Sequence, residues 1–72
     1  MLARMEPRRY RITVGGSLGA SFTEAFERAL LESNGRETHL WTEAIDQAQL
    51  RGLIELVLDL GLDLRQVQEL EP

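Results

Sequence analysis

His39 is the only histidine in this chain and cysteine is absent, so any imidazole base, proton relay or metal ligand set must run through that one ring. Glu37 and Glu43 share its phase along an extended segment and could join it in a carboxylate-imidazole metal set. Side chains two positions apart on a strand are ordinarily just neighbours on a polar face, and no metal site is assigned. Ser17, Ser21 and Ser33 carry hydroxyls without a sequence-evident base, and such a hydroxyl is a weak nucleophile. Gly15-Gly16-Ser17-Leu18-Gly19 brings together glycines whose amides could approach an anion. It lacks the Lys-Ser/Thr of a phosphate loop and the G-x-G-x-x-G spacing that opens a helix, so it reads as a flexible strand exit. The expectation is a protein that is not an enzyme, with no catalytic residue and no cofactor.

The elements available to position these residues are few. At 72 residues the chain is expected to form a single domain, residues 1–72, with residues 1–8 frayed. A chain of this size buries only about 60% of the surface it exposes when unfolded. Hydrophobic residues make up 43% and charged residues 28%, a composition that supports a packed core. No run approaches the roughly 20 apolar residues of a membrane span, and Met1-Leu2-Ala3-Arg4-Met5-Glu6-Pro7 lacks the apolar core of a secretory signal. A cytoplasmic protein without membrane contact is expected. All 8 basic residues are arginines, against 12 acidic residues, for a net charge of -4. An acidic chain supplies little of the positive field a phosphate backbone requires, and the Arg8-Arg9-Arg11 cluster reads as a solubilising terminal run, so nucleic acid is not an expected partner.

Tyr10, Ile12 and Val14 alternate with Arg11 and Thr13, the period of a half-buried strand that Gly15-Gly16 ends. Ser17 to Phe26 reads as a connection, with Ser21 and Glu24 spaced as a capping pair and Phe22 and Phe26 on one side of a single turn. Glu27 to Glu43 reads as a hairpin about Ser33-Asn34-Gly35-Arg36, because Asn-Gly best tolerates the positive φ of a two-residue turn. That register pairs Ser33 with Arg36, Glu32 with Glu37, Leu31 with Thr38, Leu30 with His39, Ala29 with Leu40 and Arg28 with Trp41. Glu32 against Glu37 is unfavourable, which makes a bulge or a shifted register near the turn unsurprising.

Asp46 and Gln49 form a capping box ahead of an apolar stripe, with Ile45 set to pack on Leu50 as a staple. Gly61 suits the left-handed residue of the helix stop, and Leu62 is placed to fold back on Val57. Leu50, Leu53, Ile54, Val57 and Leu58 make the central stripe; Leu56 and Leu60 widen it to about half the cylinder. Leu62-Asp63-Leu64 begins a last strand, and a bulge near Arg65-Gln66 would bring Val67 and Leu70 into phase. The sum is an α+β domain of order β-β-β-α-β, a four-stranded, mainly antiparallel sheet with one helix packed on one face.

Tyr10-x-Ile12-x-Val14-x-Gly16-x-Leu18, Ser21-Phe22-x-x-Ala25-Phe26, Asp46-Gln47-Ala48-x-Leu50-x-Gly52-Leu53-Ile54 and Asp59-Leu60-Gly61-Leu62-x-Leu64-x-x-Val67 together resemble a group of short, functionally uncharacterised bacterial proteins. The likeness covers residues 10 to 70. In that group the middle motif is richer in tryptophan and the helix often reads Asp-Gln-Ala-Ala-Leu-His-Gly. Here Phe22 and Ala25 stand where tryptophans are usual, and Arg51 stands in place of the histidine. The resemblance implies no activity, cofactor or catalytic residue.

The hairpin leaves apolar content on both faces. Either the Trp41 face packs on the helix, with Ala29, Leu31 and Leu40 outside, or Trp41 lies away from the helix beside Arg28, Leu30 and His39 as a contact surface. A candidate interaction surface follows: Arg28, Leu30, His39 and Trp41, with Leu56 and Leu60 from the wide helix stripe. Surplus apolar surface on so small a chain points to a non-enzymatic interaction or oligomerisation module, most simply a homodimer formed by sheet stacking or edge pairing. It would act as an accessory or regulatory subunit, with a heteromeric protein partner as a further possibility. The alternative is a small-molecule sensor binding a metabolite in a dimer cleft, comparable to ACT-type regulatory domains by fold class only.

Overall fold

The computed structural model describes residues 6–16, 18, 24, 26 and 29–70. Strand β1 spans Tyr10–Gly15, β2 Leu30–Ser33, β3 Glu37–Trp41 and β4 Leu64–Glu69; helix α1 spans Gln47–Asp59. They form one sheet of order β2-β3-β1-β4 with every neighbouring pair antiparallel, and the β-β-β-α-β order makes the domain α+β. No helix among the described residues is long and apolar enough to cross a membrane.

Because β1 and β2 are both antiparallel to β3, they run parallel to each other on either side of it. Leu18, Phe26 and Ala29, described residues between those two strands, pack with the core on the helix side. Ile12, Val14, Leu40 and Val57 are completely buried, and Phe26 joins them. Each such side chain contributes about 1.5–3 kcal/mol relative to exposure. Thr38 is buried on the same side, its hydroxyl donating to the Gly16 carbonyl at 2.7 Å, so it leaves no orphan there.

The face question is thereby answered. Tyr10, Ile12, Val14, Leu31 and Leu40 look toward the helix, and Trp41 and His39 look away. Phe26 and Ala29 continue the core on that same side.

Two local expectations need correction. The hairpin pairs Leu30 with Trp41, Leu31 with Leu40, Glu32 with His39 and Ser33 with Thr38, two steps from the two-residue-turn register. Only Gly35 takes positive φ, at 90°; the Asn34 side chain accepts from the amides of Arg36 at 2.9 Å and Glu37 at 2.8 Å. The longer loop separates Glu32 from Glu37, and a shift of two leaves each side chain on its expected face. Strand β4 begins at Leu64, not Leu62. Its bulge lies where expected: Thr13 pairs with Gln66 and Val14 with Leu64, leaving Arg65 as the extra residue.

The helix ends match their signals. Asp46 accepts from the Gln49 amide at 2.7 Å while the Gln49 side chain accepts from the Asp46 amide at 2.9 Å. At the other end Gly61, at φ 77°, donates to Leu58 and the Leu62 amide donates to Val57, the paired bonds of a Schellman stop. Leu62 packs back against the core. The apolar stripe, however, is rotated from its expected centre. Leu56 packs against the core, whereas Leu58 is 55% exposed. Phe26 lies on the Leu56 flank, lining the same groove as Leu56, and enlarges the core there.

Candidate interaction surface

Among the described residues, no group of three His, Asp or Glu side chains converges on a possible metal position. His39 Nδ1 shares a 2.8 Å hydrogen bond with the Thr13 hydroxyl, and Glu37 is engaged by Arg65 at 3.4 Å. The first two amides of the glycine segment are already taken. Gly15 donates to the Asp63 carbonyl at 2.8 Å and Gly16 to the Arg36 carbonyl at 2.6 Å. A Cβ at Gly15 would stand 2.9 Å from both the Arg65 guanidinium and the Asp63 carboxylate, so this glycine makes room for that ion pair. Asp63 first, then Glu37, raises the Arg65 pKa above its usual value. Ser17 and Ser21 lie outside the described residues; Ser33 accepts from the Gly35 amide in the loop.

The sheet face away from the helix carries the richest side-chain constellation. The β registers align Leu30, Trp41, Arg11 and Gln68 across all four strands, and Glu32, His39, Thr13 and Gln66 beside them. The Arg11 guanidinium lies 5.5 Å from the centre of the Trp41 ring, a cation-π contact, and His39 meets that ring edge-on at 6.3 Å. Arg11 Nη2 also donates to the side chains of Gln66 and Gln68, so one residue of β1 ties β3 to β4. Its Nε is buried without a hydrogen-bond partner among the described residues. Leu30 closes the row at the β2 edge and is 71% exposed. The face is apolar at its β2-β3 end and polar over β1 and β4.

Of the residues singled out in the sequence, Leu30, His39 and Trp41 come together here. Leu56 and Leu60 lie in the helix layer on the other side of the sheet, and Arg28 lies outside the described residues. Arg11, Thr13, Gln66 and Gln68 complete the face and were not among the candidates. Their signal was the out-of-phase positions of the two strands, which becomes meaningful only once β1 is known to lie between β3 and β4.

On the helix side, a groove of about 520 Å³ opens between α1 and the β2-β3 half of the domain. Phe26, Ala29, Ile45, Leu53 and Leu56 supply apolar walls, Gln49 and Thr42 supply polar groups, and Gly52 forms part of the rim.

Residues 9–68 match the family described as Domain of unknown function (DUF8691). The chain belongs to that family. The match takes in β1, β2, β3, the helix and β4 as far as Gln68, so the open face and the groove both lie within the family domain. No curated protein and no solved structure matches the chain.

Proposed function

We propose that this domain is a non-enzymatic interaction module that associates with itself and serves as an accessory or regulatory subunit. One observation carries the reading: large apolar side chains stay exposed on both layers, Leu30 at 71% beside Trp41 on a sheet face that no described element covers, and Leu58 and Val67 on the helix side. Exposed apolar side chains of this size, with a half-buried tryptophan beside one of them, favour contact surfaces over solvated ones. Sedimentation at tens of micromolar tests it, with a species of twice the 8.2 kDa chain mass as the expected result. A stable monomer overturns self-association.

The groove favours a second reading, a small-molecule sensor, because about 520 Å³ falls within the 300–1,000 Å³ range of ligand pockets. Thermal-shift screening against a metabolite library separates the two readings. A ligand-dependent rise in Tm supports the sensor, and a flat response across the library removes it.

A further inference from the structure

We infer that two copies of this chain join edge to edge through β4, antiparallel, with the two-fold axis at Val67, into one eight-stranded sheet. The inference rests on the self-association proposed above and names its seam.

Strand β4 is an edge of the sheet, and at six residues it is longer than the opposite edge strand β2, with four. An unpaired edge is a template for another strand unless lysine, proline or curvature blunts it. Leu64–Glu69 contains neither lysine nor proline, its two charges are neutralised within the chain (Arg65 by Asp63 and Glu37, Glu69 by Arg8), and its one bulge lies at the Arg65 end. The Leu70 amide donates to the Arg9 carbonyl, and alternation along the ladder then turns Gln68 and Gln66 toward β1. The backbone groups of Val67 and Glu69 are therefore the ones that point outward.

The side chains choose among the symmetric registers. An axis at Arg65 or at Glu69 sets like charges directly opposite. An axis at Gln66 or Gln68 sets Val67 against Arg65 or Glu69. An axis at Val67 alone pairs Val67 with the partner's Val67 and Gln66 with the partner's Gln68. The strand is complementary to itself in that register and in no neighbouring one.

The helix layer agrees. The groove places Gln49, Gly52 and Leu56 on the β2-β3 side of α1, so the opposite flank, with Ile54 and Leu58, overhangs β4. Leu58 at 55% and Val67 at 38% are two of the large apolar side chains left exposed, and both lie on this side. Joined at β4, the two helices share one face of the sheet, about 14–19 Å apart for three to four strand spacings of 4.7–4.9 Å. A helix is 10–12 Å across with its side chains. The trough between them is floored by the two Val67 side chains and walled by the two Leu58 side chains. Sheet stacking through the Trp41 face would instead bury Arg11, Glu32 and His39 in the interface, which is costly for charged groups.

A cysteine scan of the full chain reads the register directly, since the protein has no cysteine of its own. Facing residues of a hydrogen-bonded antiparallel pair have Cα atoms about 5.5 Å apart, within the 4.4–6.8 Å span of a disulfide. Val67→Cys is expected to cross-link to a dimer under mild oxidation at least tenfold faster than Gln66→Cys or Gln68→Cys. An equal mixture of the two glutamine variants cross-links to each other. Fastest cross-linking at any position other than Val67, or uniformly slow reaction at all three, overturns the register. Val67→Lys, which brings like charges together on the axis, is expected to sediment as a folded monomer with an unchanged circular dichroism spectrum. A wild-type dimer that persists in Val67→Lys overturns the seam and leaves self-association standing; a monomeric wild type overturns both.

Discussion

Replacing Gly52 by alanine is expected to stabilise this protein. Gly52 is the sixth residue of α1 and has a free side where a side chain would stand: a Cβ built there meets nothing within 4 Å. Its φ is not in the left-handed region, unlike those of Gly16, Gly35 and Gly61. Neither crowding nor backbone conformation therefore calls for glycine, and in a helix interior glycine costs about 0.8–1.0 kcal/mol relative to alanine. Recovering about 0.5–1 kcal/mol raises Tm by about 2–8 °C in a domain this small. Thermal unfolding followed by circular dichroism at one fixed protein concentration measures it, the concentration being held because the Tm of a self-associating chain depends on it. A Tm equal to or below that of the wild type would refute the reasoning and show that the Gly52 backbone carries a contact within the fold. The position also bears on function, because Gly52 lies on the groove rim. Gly52→Leu extends a side chain into that groove, so any metabolite that stabilises the wild type through the groove should lose its effect on this variant.

The fold offers further tests. Asp46→Ala removes the acceptor of the Gln49 amide at the start of α1 and should cost about 1 kcal/mol, read as a lower urea midpoint at unchanged slope. Leu40→Ala opens a cavity at a completely buried position and should cost about 2–5 kcal/mol. A domain below about 80 residues holds only about 3–5 kcal/mol from its core, so much of this variant should be unfolded at 25 °C by circular dichroism. Trp41 is half-buried beneath Arg11 on the open face, so its fluorescence should show acrylamide quenching intermediate between free indole and a core tryptophan. Complete protection in the monomeric Val67→Lys variant would show that another part of the chain covers the face.

The helix was legible because its signals are local: Asp46 and Gln49 are three residues apart, and Gly61 stands beside the last turn. The β4 bulge was legible for the same reason, as a phase break between Leu64 and Val67. The hairpin register was not. Asn34-Gly35 favours a tight turn, yet the tight turn sets Glu32 against Glu37. The observed loop satisfies the Arg36 and Glu37 amides through the Asn34 side chain and places Glu32 opposite His39. The rotation of the helix stripe depends on Phe26, more than 20 residues away in sequence, which no periodicity within α1 could reveal. The open face was half legible. Leu30, His39 and Trp41 were visible within one hairpin, but the cation over the tryptophan comes from Arg11, which reaches it only through the β1-β3 pairing.

Arg11 also bears on how the open face could be used. It is held at once by the Trp41 ring and by Gln66 and Gln68, so the polar half of the face is already internally bonded across β3, β1 and β4. What remains for a partner is the apolar end, Trp41 and Leu30, next to the short β2 edge. Joining β4 to β4 leaves that end untouched, because β2 and β3 lie on the far side of the sheet from the seam. It also sets the two copies of the Trp41 patch on one face, five strand spacings or about 24 Å apart. A target engaged at both patches gains avidity from the second contact only if it spans that distance. Self-association and partner binding would then use different surfaces of the same sheet, and Val67→Lys should weaken capture of a two-site target while leaving the affinity of each single patch unchanged.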